Sequence, residues 1–231
     1  MKRTRLLIAV LVLIGVVACS HEPPAYESTY TGPNTTPAPP AVEVASVAVI
    51  GDSYSEQGPV PFPRLAGDTL TKEGLPVKIT NGSVSGSGYV NPGVRRTRLG
   101  ERIPRIVKAN DAVVVFIGSR NDRTFPAAEI ASATSEAYVA AKQIAPNARL
   151  LVIGPIWPEG NPPDGVLQAR DVVRDQAIAA GATFVDPIAE AWLVGDPALL
   201  KPDGVHPNEA GNQYLAAKFA PLLRSVLEVN G

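Results

Sequence analysis

The sequence is poor in the residues that form disulfides and bind metals. Its 231 residues include one cysteine, Cys19, and two histidines, His21 and His206. A single cysteine excludes a disulfide within the chain, so a hydrophobic core alone must hold the fold together. After residue 42 there is one histidine and no cysteine, which argues against a zinc site. We therefore expect no metal and no cofactor.

An excess of charge of one sign is also lacking. The chain has 21 lysines and arginines against 22 aspartates and glutamates, a formal net charge of −1. It shows no basic stripe with interleaved aromatic residues, so we expect no nucleic-acid partner. It also has no G-x-S-x-G nucleophile elbow, no Walker loop and no G-x-G-x-x-G. The composition, with 45% hydrophobic and 19% charged residues, is typical of a globular protein.

The N-terminal region has the composition of an export signal. A positive segment precedes the apolar stretch Leu6–Val17, which is too short to span a bilayer comfortably. The following Val16-Val17-Ala18-Cys19 resembles a bacterial lipobox, in which cleavage precedes a cysteine that receives a diacylglycerol. We expect a signal peptide over residues 1–18 and a lipid-anchored tether rich in Pro, Ser and Thr over residues 19–42. Cys19 then holds an exported protein on the outer side of the cell membrane; under the alternative, an ordinary secretion signal, the protein is secreted.

The remainder of the chain, residues 43–231, alternates short apolar runs with helical patterns. Five runs rich in Val and Ile lack polar alternation, as strands buried on both faces do. These runs are Val44–Ile50, Val77–Thr80, Ala112–Ile117, Leu150–Ile153 and Thr183–Val185. Amphipathic spacing predicts helices over Ala127–Ala145, Gly165–Ala180 and Asn208–Val229, with a kink or break at Pro221. The alternation predicts an α/β domain with a parallel sheet covered by helices on both sides.

Glycines and polar residues follow the predicted strands. The segments are Gly51-Asp52-Ser53, Asn81 to Gly86, Gly118 to Asp122, Gly154 to Trp157 and, after the last strand, Asp203 to His206. Ligands bind beyond the carboxyl ends of the strands in such a sheet, so we expect the functional site at this edge.

Three of these residues fit nucleophilic catalysis. A serine hydroxyl such as that of Ser53 needs a base, and His206 is the only histidine after residue 42. Asp203 lies three residues earlier, where one turn of chain brings its carboxylate to the far ring nitrogen. The backbone N–H groups of Ser53 and Gly86, with the amide of Asn121, are candidate donors for an oxyanion hole. The alternative for each residue taken alone is a turn or helix cap.

Together these segments resemble the SGNH hydrolases of the GDSL lipase/esterase superfamily. The four blocks of that family are similar to Gly51–Ser55, Asn81–Gly86, Ser119–Asp122 and Asp203–Pro207, in the same order. The family usually has Gly-x-Asn-Asp in its third block, whereas here Ser119 stands in the place of the glycine.

The resemblance implies a flavodoxin-like three-layer α/β/α sandwich with a five-stranded parallel sheet. It also implies a carboxylic (O-acyl) ester hydrolase that forms an acyl-enzyme on Ser53, with His206 as base and Asp203 as its orienting group. The implied oxyanion hole consists of Ser53, Gly86 and Asn121. Tyr54 and Trp157 are candidates for the substrate pocket.

Two other functions are compatible with the same residues. One is an acyltransferase that uses the same triad, and the other is a non-catalytic module that binds envelope glycans. The partner that we expect is a small-molecule ester or the ester of a glycan or lipid, with a membrane contact through Cys19 and a monomeric state. The sequence does not distinguish lipid from glycan esters, nor short from long acyl groups.

Overall fold

The computed structural model describes residues 43–228, and its centre is a five-stranded parallel sheet. The strands are β1 (Ala45–Gly51), β2 (Val77–Asn81), β3 (Val113–Ile117), β4 (Arg149–Ile153) and β5 (Thr183–Val185). Their order in the sheet is β2-β1-β3-β4-β5. All five predicted strands are present with ends shifted by no more than one residue.

The strand order places a crevice at the carboxyl ends of β1 and β3. After β1 the chain crosses to one side to form β2, and then returns to form β3 on the other side of β1. The loops that leave β1 and β3 therefore diverge, which opens a ligand site in sheets of this kind. In the register of the pair, Gly51 at the end of β1 lies opposite Ile117 at the end of β3.

Six α-helices complete the three layers. They are α1 (Ser53–Glu56), α2 (Phe62–Lys72), α3 (Leu99–Ile106), α4 (Ala127–Ile144), α5 (Asp164–Ala179) and α6 (Glu209–Glu228). Short 3₁₀ helices cover Arg120–Asp122 and Pro197–Leu199. The three predicted helices correspond to α4, α5 and α6, whereas the first three were not predicted.

The side chains of each strand alternate between two cores. Val49, Val115 and Leu151 face the core that α2 and α6 cover, and their neighbours Ile50, Phe116 and Val152 face the core under α3, α4 and α5. Both faces of the sheet are thus buried, which is why the strands show no polar alternation. The predicted three-layer α/β/α architecture is confirmed.

Helix α6 runs through Pro221 without ending there. Proline removes one hydrogen bond to the preceding turn, so the sequence predicted a kink or break. Buried residues on both sides of it, Phe219 and Leu223, pack into the same core. This shared packing holds the two halves in one helix.

Several predicted features lie outside the described residues. These are the signal peptide over residues 1–18, the tether over residues 19–42, His21 and the lipidation site Cys19. Among residues 43–228 no helix is both long and apolar enough to cross a membrane.

Candidate active site

The first strand delivers Ser53 to the edge of the sheet. Strand β1 ends at Gly51, Asp52 caps the next helix by accepting the Tyr54 N–H at 3.0 Å, and Ser53 is the first residue of α1. Only a glycine fits at position 51, because an added Cβ would collide with the Ser55 hydroxyl. Burial and the helix cap therefore fix the position of Ser53.

Ser53, His206 and Asp203 form a continuous hydrogen-bonded series. The His206 Nε2 atom lies 3.0 Å from the Ser53 Oγ, and its Nδ1 atom lies 2.8 Å from Asp203 Oδ2. Ser53 and His206 are 153 residues apart in the sequence. The fold thus brings together all three residues that the sequence analysis selected.

A tight turn holds Asp203 under the imidazole. Its Oδ1 atom accepts the backbone N–H groups of His206 and Val205, both at 2.9 Å. The His206 backbone N–H, the His206 ring and the Val205 N–H together hold the pKa of Asp203 well below its usual range. Asp203 is therefore a carboxylate at neutral pH, and the Nδ1 of a neutral His206 donates to it.

The three candidate oxyanion donors lie beside this series. Gly86 has a φ of +74°, a conformation that L side chains rarely adopt. Within the part of the chain that the structure describes, neither the Ser53 nor the Gly86 backbone N–H has a hydrogen-bond acceptor. Asn121 Nδ2 donates to the Ser87 carbonyl at 2.9 Å and lies 3.4 Å from Asp52 Oδ2. All three residues line one cavity with His206.

In the third block the residue with a positive φ is Gly118 and not Ser119, which stands in the place of the usual glycine. Gly118 has the positive φ of +141°, and Ser119 has an ordinary φ of −144°. The Ser119 hydroxyl donates to the buried Asp122 carboxylate, which also accepts the backbone N–H groups of residues 89, 90 and 91. Burial raises the pKa of Asp122, and these backbone N–H groups oppose the rise. Ser119 thus helps to anchor the loop that follows Gly88.

Asp52 is a buried carboxyl next to the nucleophile. Its side chain is 2% exposed, and burial raises its pKa from 3.8 to about 7. The Tyr54 N–H and the charges of Arg120 and Arg102 oppose this rise, and the charge of Asp122 adds to it. Asp52 thus caps α1 with one carboxyl oxygen and contacts the Asn121 amide with the other.

Two positioning contacts were missed by the sequence analysis. Glu56 Oε2 accepts the Ser85 backbone N–H at 2.6 Å and the Ser85 hydroxyl at 2.5 Å, which ties α1 to the residue before Gly86. Buried Arg102 donates to the Gly51 carbonyl at 2.9 Å, and burial lowers its pKa to about 10. In the sequence, the feature that could have pointed to Glu56 was its position one helical turn after Ser53. No neighbouring residue could have pointed to Arg102, because its partner Gly51 lies 51 residues away in the sequence.

The cavity has a volume of about 400 Å³. Its lining residues are Ser53, Gln57, Ser85, Gly86, Val94, Arg120, Asn121, Arg123, Val205 and His206. The two aromatic residues expected in the pocket lie behind this lining. Tyr54 is buried and accepts a hydrogen bond from Arg120 at 2.8 Å, and the Trp157 ring lies 4.1 Å from the Arg120 guanidinium. Arg120, which the sequence analysis did not select, therefore forms the wall in their place.

Residues 43–228 contain no group of three or more His, Cys, Asp or Glu side chains arranged to hold a metal ion.

The chain is similar to known proteins in sequence and in fold. Residues 49–214 match the model of the GDSL-like lipase/acylhydrolase family. A GDSL lipase of Mycobacterium tuberculosis is 41% identical over 186 residues, which cover 77% of this chain and 80% of that protein. The crystal structure of TesA superposes with a TM-score of 0.66 at 22% identity, over 79% of this chain and 99% of that one. A family 3 carbohydrate esterase from Talaromyces cellulolyticus has a TM-score of 0.63 at 20% identity, over 80% and 99%.

Proposed function

The chain belongs to the GDSL-like lipase/acylhydrolase family, and from this premise we propose that it cleaves carboxylic esters through an acyl-enzyme on Ser53. Family membership makes it a carboxylic ester hydrolase. The proposal adds the residues, with Ser53 as nucleophile, His206 as base and Asp203 as the group that orients the imidazole. The observation that carries it is the hydrogen-bonded series from Ser53 Oγ through the His206 ring to Asp203.

Acylation begins when Ser53 Oγ attacks the ester carbonyl. The proton of the hydroxyl passes to His206 Nε2, 3.0 Å away, and the ring becomes an imidazolium. Asp203 stays ionised and stabilises that positive charge through Nδ1. The imidazolium then gives its proton to the alcohol oxygen as the C–O bond breaks. The products of this half-reaction are the free alcohol and an acyl group on Ser53.

The tetrahedral oxyanion needs donors that are already in place. The N–H groups of Ser53 and Gly86 have no acceptor within residues 43–228. The uncharged Asn121 amide, which donates to the Ser87 carbonyl, lies beside them. Fixed donors of this kind stabilise the transition state more than the planar ester, because the oxygen gains charge only as the bond forms. In the second half-reaction water attacks the acyl carbon while His206 accepts a proton from the water. The imidazolium then returns this proton to Ser53 Oγ as the bond between the acyl carbon and Oγ breaks, which releases the carboxylic acid.

Replacement of the nucleophile tests the proposal. We expect Ser53→Ala to lower kcat on 4-nitrophenyl butyrate by about 10⁴-fold or more, since the remaining groups cannot form the acyl-enzyme. A fluorophosphonate probe should label the wild-type protein and not the variant, which also distinguishes an enzyme from a glycan-binding module. The matched control is Ser132→Ala, an exposed serine on α4 that should leave rate and labelling unchanged. Wild-type hydrolysis by Ser53→Ala would contradict the assignment.

We also propose, from the sequence alone, that the protein is exported and lipidated at Cys19. The support is the lipobox-like Val16-Val17-Ala18-Cys19 after a positive and then an apolar segment. Mass spectrometry of the N-terminal peptide from the native host tests this: a diacylglycerol on Cys19 supports the anchor, and an unmodified cysteine contradicts it.

A further inference from the structure

The two charged residues that line the catalytic cavity, Arg120 and Arg123, are both arginines. Arg120 and Arg123 both form part of the wall, and none of the ten lining residues is an aspartate or glutamate. Lys201 adds positive charge behind the wall, where its Nζ donates to Gln57 at 2.7 Å. A cavity with such a lining favours a negative group on the molecule that enters it.

The neighbouring carboxylates are already engaged by other groups. Glu159 lies 3.4 Å from Arg120, Glu56 binds Ser85 and Arg95, and Asp203 binds His206. Each faces its partner and not the cavity. Within residues 43–228, Arg120 thus has a carboxylate partner in Glu159, whereas Arg123 has none.

Arg120 and Arg123 differ in how much of their binding capacity is used. The Arg120 guanidinium donates to Tyr54 and Glu159 and stacks on Trp157, so it is held in one position. Arg123 is exposed and makes one hydrogen bond, from Nη1 to the Arg120 carbonyl at 3.3 Å. No carboxylate within residues 43–228 forms an ion pair with it. Of its five N–H donors, most are thus available to a ligand.

The backbone of Arg123 is nevertheless fixed. Gly165, in the first turn of α5, packs so closely on the Arg123 carbonyl that an added Cβ would overlap it. The side chain therefore extends from a rigid position beside Asn121, one of the candidate oxyanion donors. A rigid base loses less entropy when the guanidinium binds a ligand.

We propose that Arg123, with Arg120 behind it, binds an anionic group carried by the ester substrate. This inference rests on the proposed function and specifies its substrate class. The planar guanidinium fork matches a carboxylate or a phosphate, so the substrate is an ester with one of these groups near the scissile bond. The anion lies either on the acyl part or on the alcohol part.

Matched pairs of esters distinguish these sources. 4-Nitrophenyl hemiglutarate has a carboxylate on the acyl part, and 4-nitrophenyl valerate is its neutral counterpart of equal chain length. 4-Phosphonooxyphenyl butyrate has a phosphate on the alcohol part, and phenyl butyrate is its neutral counterpart. For each pair the measured quantity is the ratio of kcat/KM for the anionic ester to kcat/KM for the neutral ester.

We expect Arg123→Gln to lower this ratio about tenfold for at least one pair, which is typical of a lost charged hydrogen bond near the surface. Raising the salt concentration should lower the wild-type ratio and have less effect on the variant. Arg64→Gln, an exposed arginine paired with Asp68 on α2, is the control and should leave the ratio unchanged. Both sources of the anion remain distinguishable, because each pair reports on one side of the ester.

Equal ratios in wild type and Arg123→Gln for both pairs would overturn the inference. That result is separate from a failure of the proposed function. If hydrolysis still requires Ser53, the serine mechanism stands and only the anionic substrate class is lost. If Ser53→Ala hydrolyses every ester at the wild-type rate, the mechanism fails instead.

Discussion

The buried carboxyl of Asp52 should make the stability of the fold depend on pH. Burial raises its pKa from 3.8 to about 7 in the folded protein, whereas an unfolded chain leaves it near 3.8. The folded protein therefore binds the proton more tightly than the unfolded chain does. The stabilisation of the fold by this proton is fully present below about pH 4 and is lost as the pH rises through about 7.

The size of this effect follows from the pKa difference. Each pKa unit corresponds to about 1.4 kcal/mol, so the loss between pH 4 and pH 7 is about 4 kcal/mol. This is a large share of the 5–15 kcal/mol that is typical for a domain. Asp52→Asn removes the titrating group but keeps an oxygen that can accept the Tyr54 N–H, so the cap on α1 is retained.

Urea unfolding of wild type and Asp52→Asn at pH 5, 6, 7 and 8 measures the effect. We expect the free energy of unfolding of the variant, relative to wild type, to increase by about 3 kcal/mol between pH 5 and pH 8. Asp122, another buried carboxyl with a raised pKa, is present in both proteins, and its charge is one of the causes of the raised Asp52 pKa. The control is Asp68→Asn, an exposed carboxyl on α2, which should shift the curve equally at every pH. Parallel curves for wild type and Asp52→Asn would show that Asp52 does not bind its proton more tightly in the folded protein.

Two further predictions concern the loops around the site. Glu56→Ala should lower kcat about tenfold with a smaller change in KM, because the Ser85–Gly86 backbone loses the carboxylate that holds it to α1. Steady-state kinetics measures this, with Glu129→Ala, an exposed glutamate on α4, as the control. Wild-type kinetics for both variants would disprove the prediction. Gly88→Ala should lower the free energy of unfolding by about 2 kcal/mol, because the new Cβ would fall on the anchored Asp122 carboxylate. The matched control is Gly100→Ala in α3, where the added Cβ meets Ala137 at an ordinary 3.7 Å. Thermal or urea unfolding measures the stability of both variants. Equal stability would show that the loop at Gly88 accommodates the Cβ without loss of free energy.

The sequence was sufficient for the fold because its signals are local. Runs of Val and Ile without polar alternation mark strands buried on both faces, and such strands separated by helices form a parallel sheet. The prediction was less complete where local and tertiary effects differ. Pro221 was expected to kink or break its helix; the helix does not break there, and Phe219 and Leu223 on either side of it pack in one core. Helices α1 to α3 were missed because they are short: α1 has four residues, and the amphipathic α2 and α3 have 11 and 8.

For the site, the sequence alone determined which residues carry reactive groups and in what order they follow the strands. Ser53 and His206 could be selected because a single histidine remains after residue 42. Only the tertiary structure decided which groups meet: Glu56 with Ser85, Arg102 with Gly51, and Arg120 in front of Tyr54 and Trp157. The hydrogen-bonded pairs Glu56–Ser85, Gly51–Arg102 and Tyr54–Arg120 are 29, 51 and 66 residues apart along the chain. Local propensity says nothing about such distances, because packing of the layers, not neighbouring sequence, sets which loops converge at the carboxyl ends of the strands.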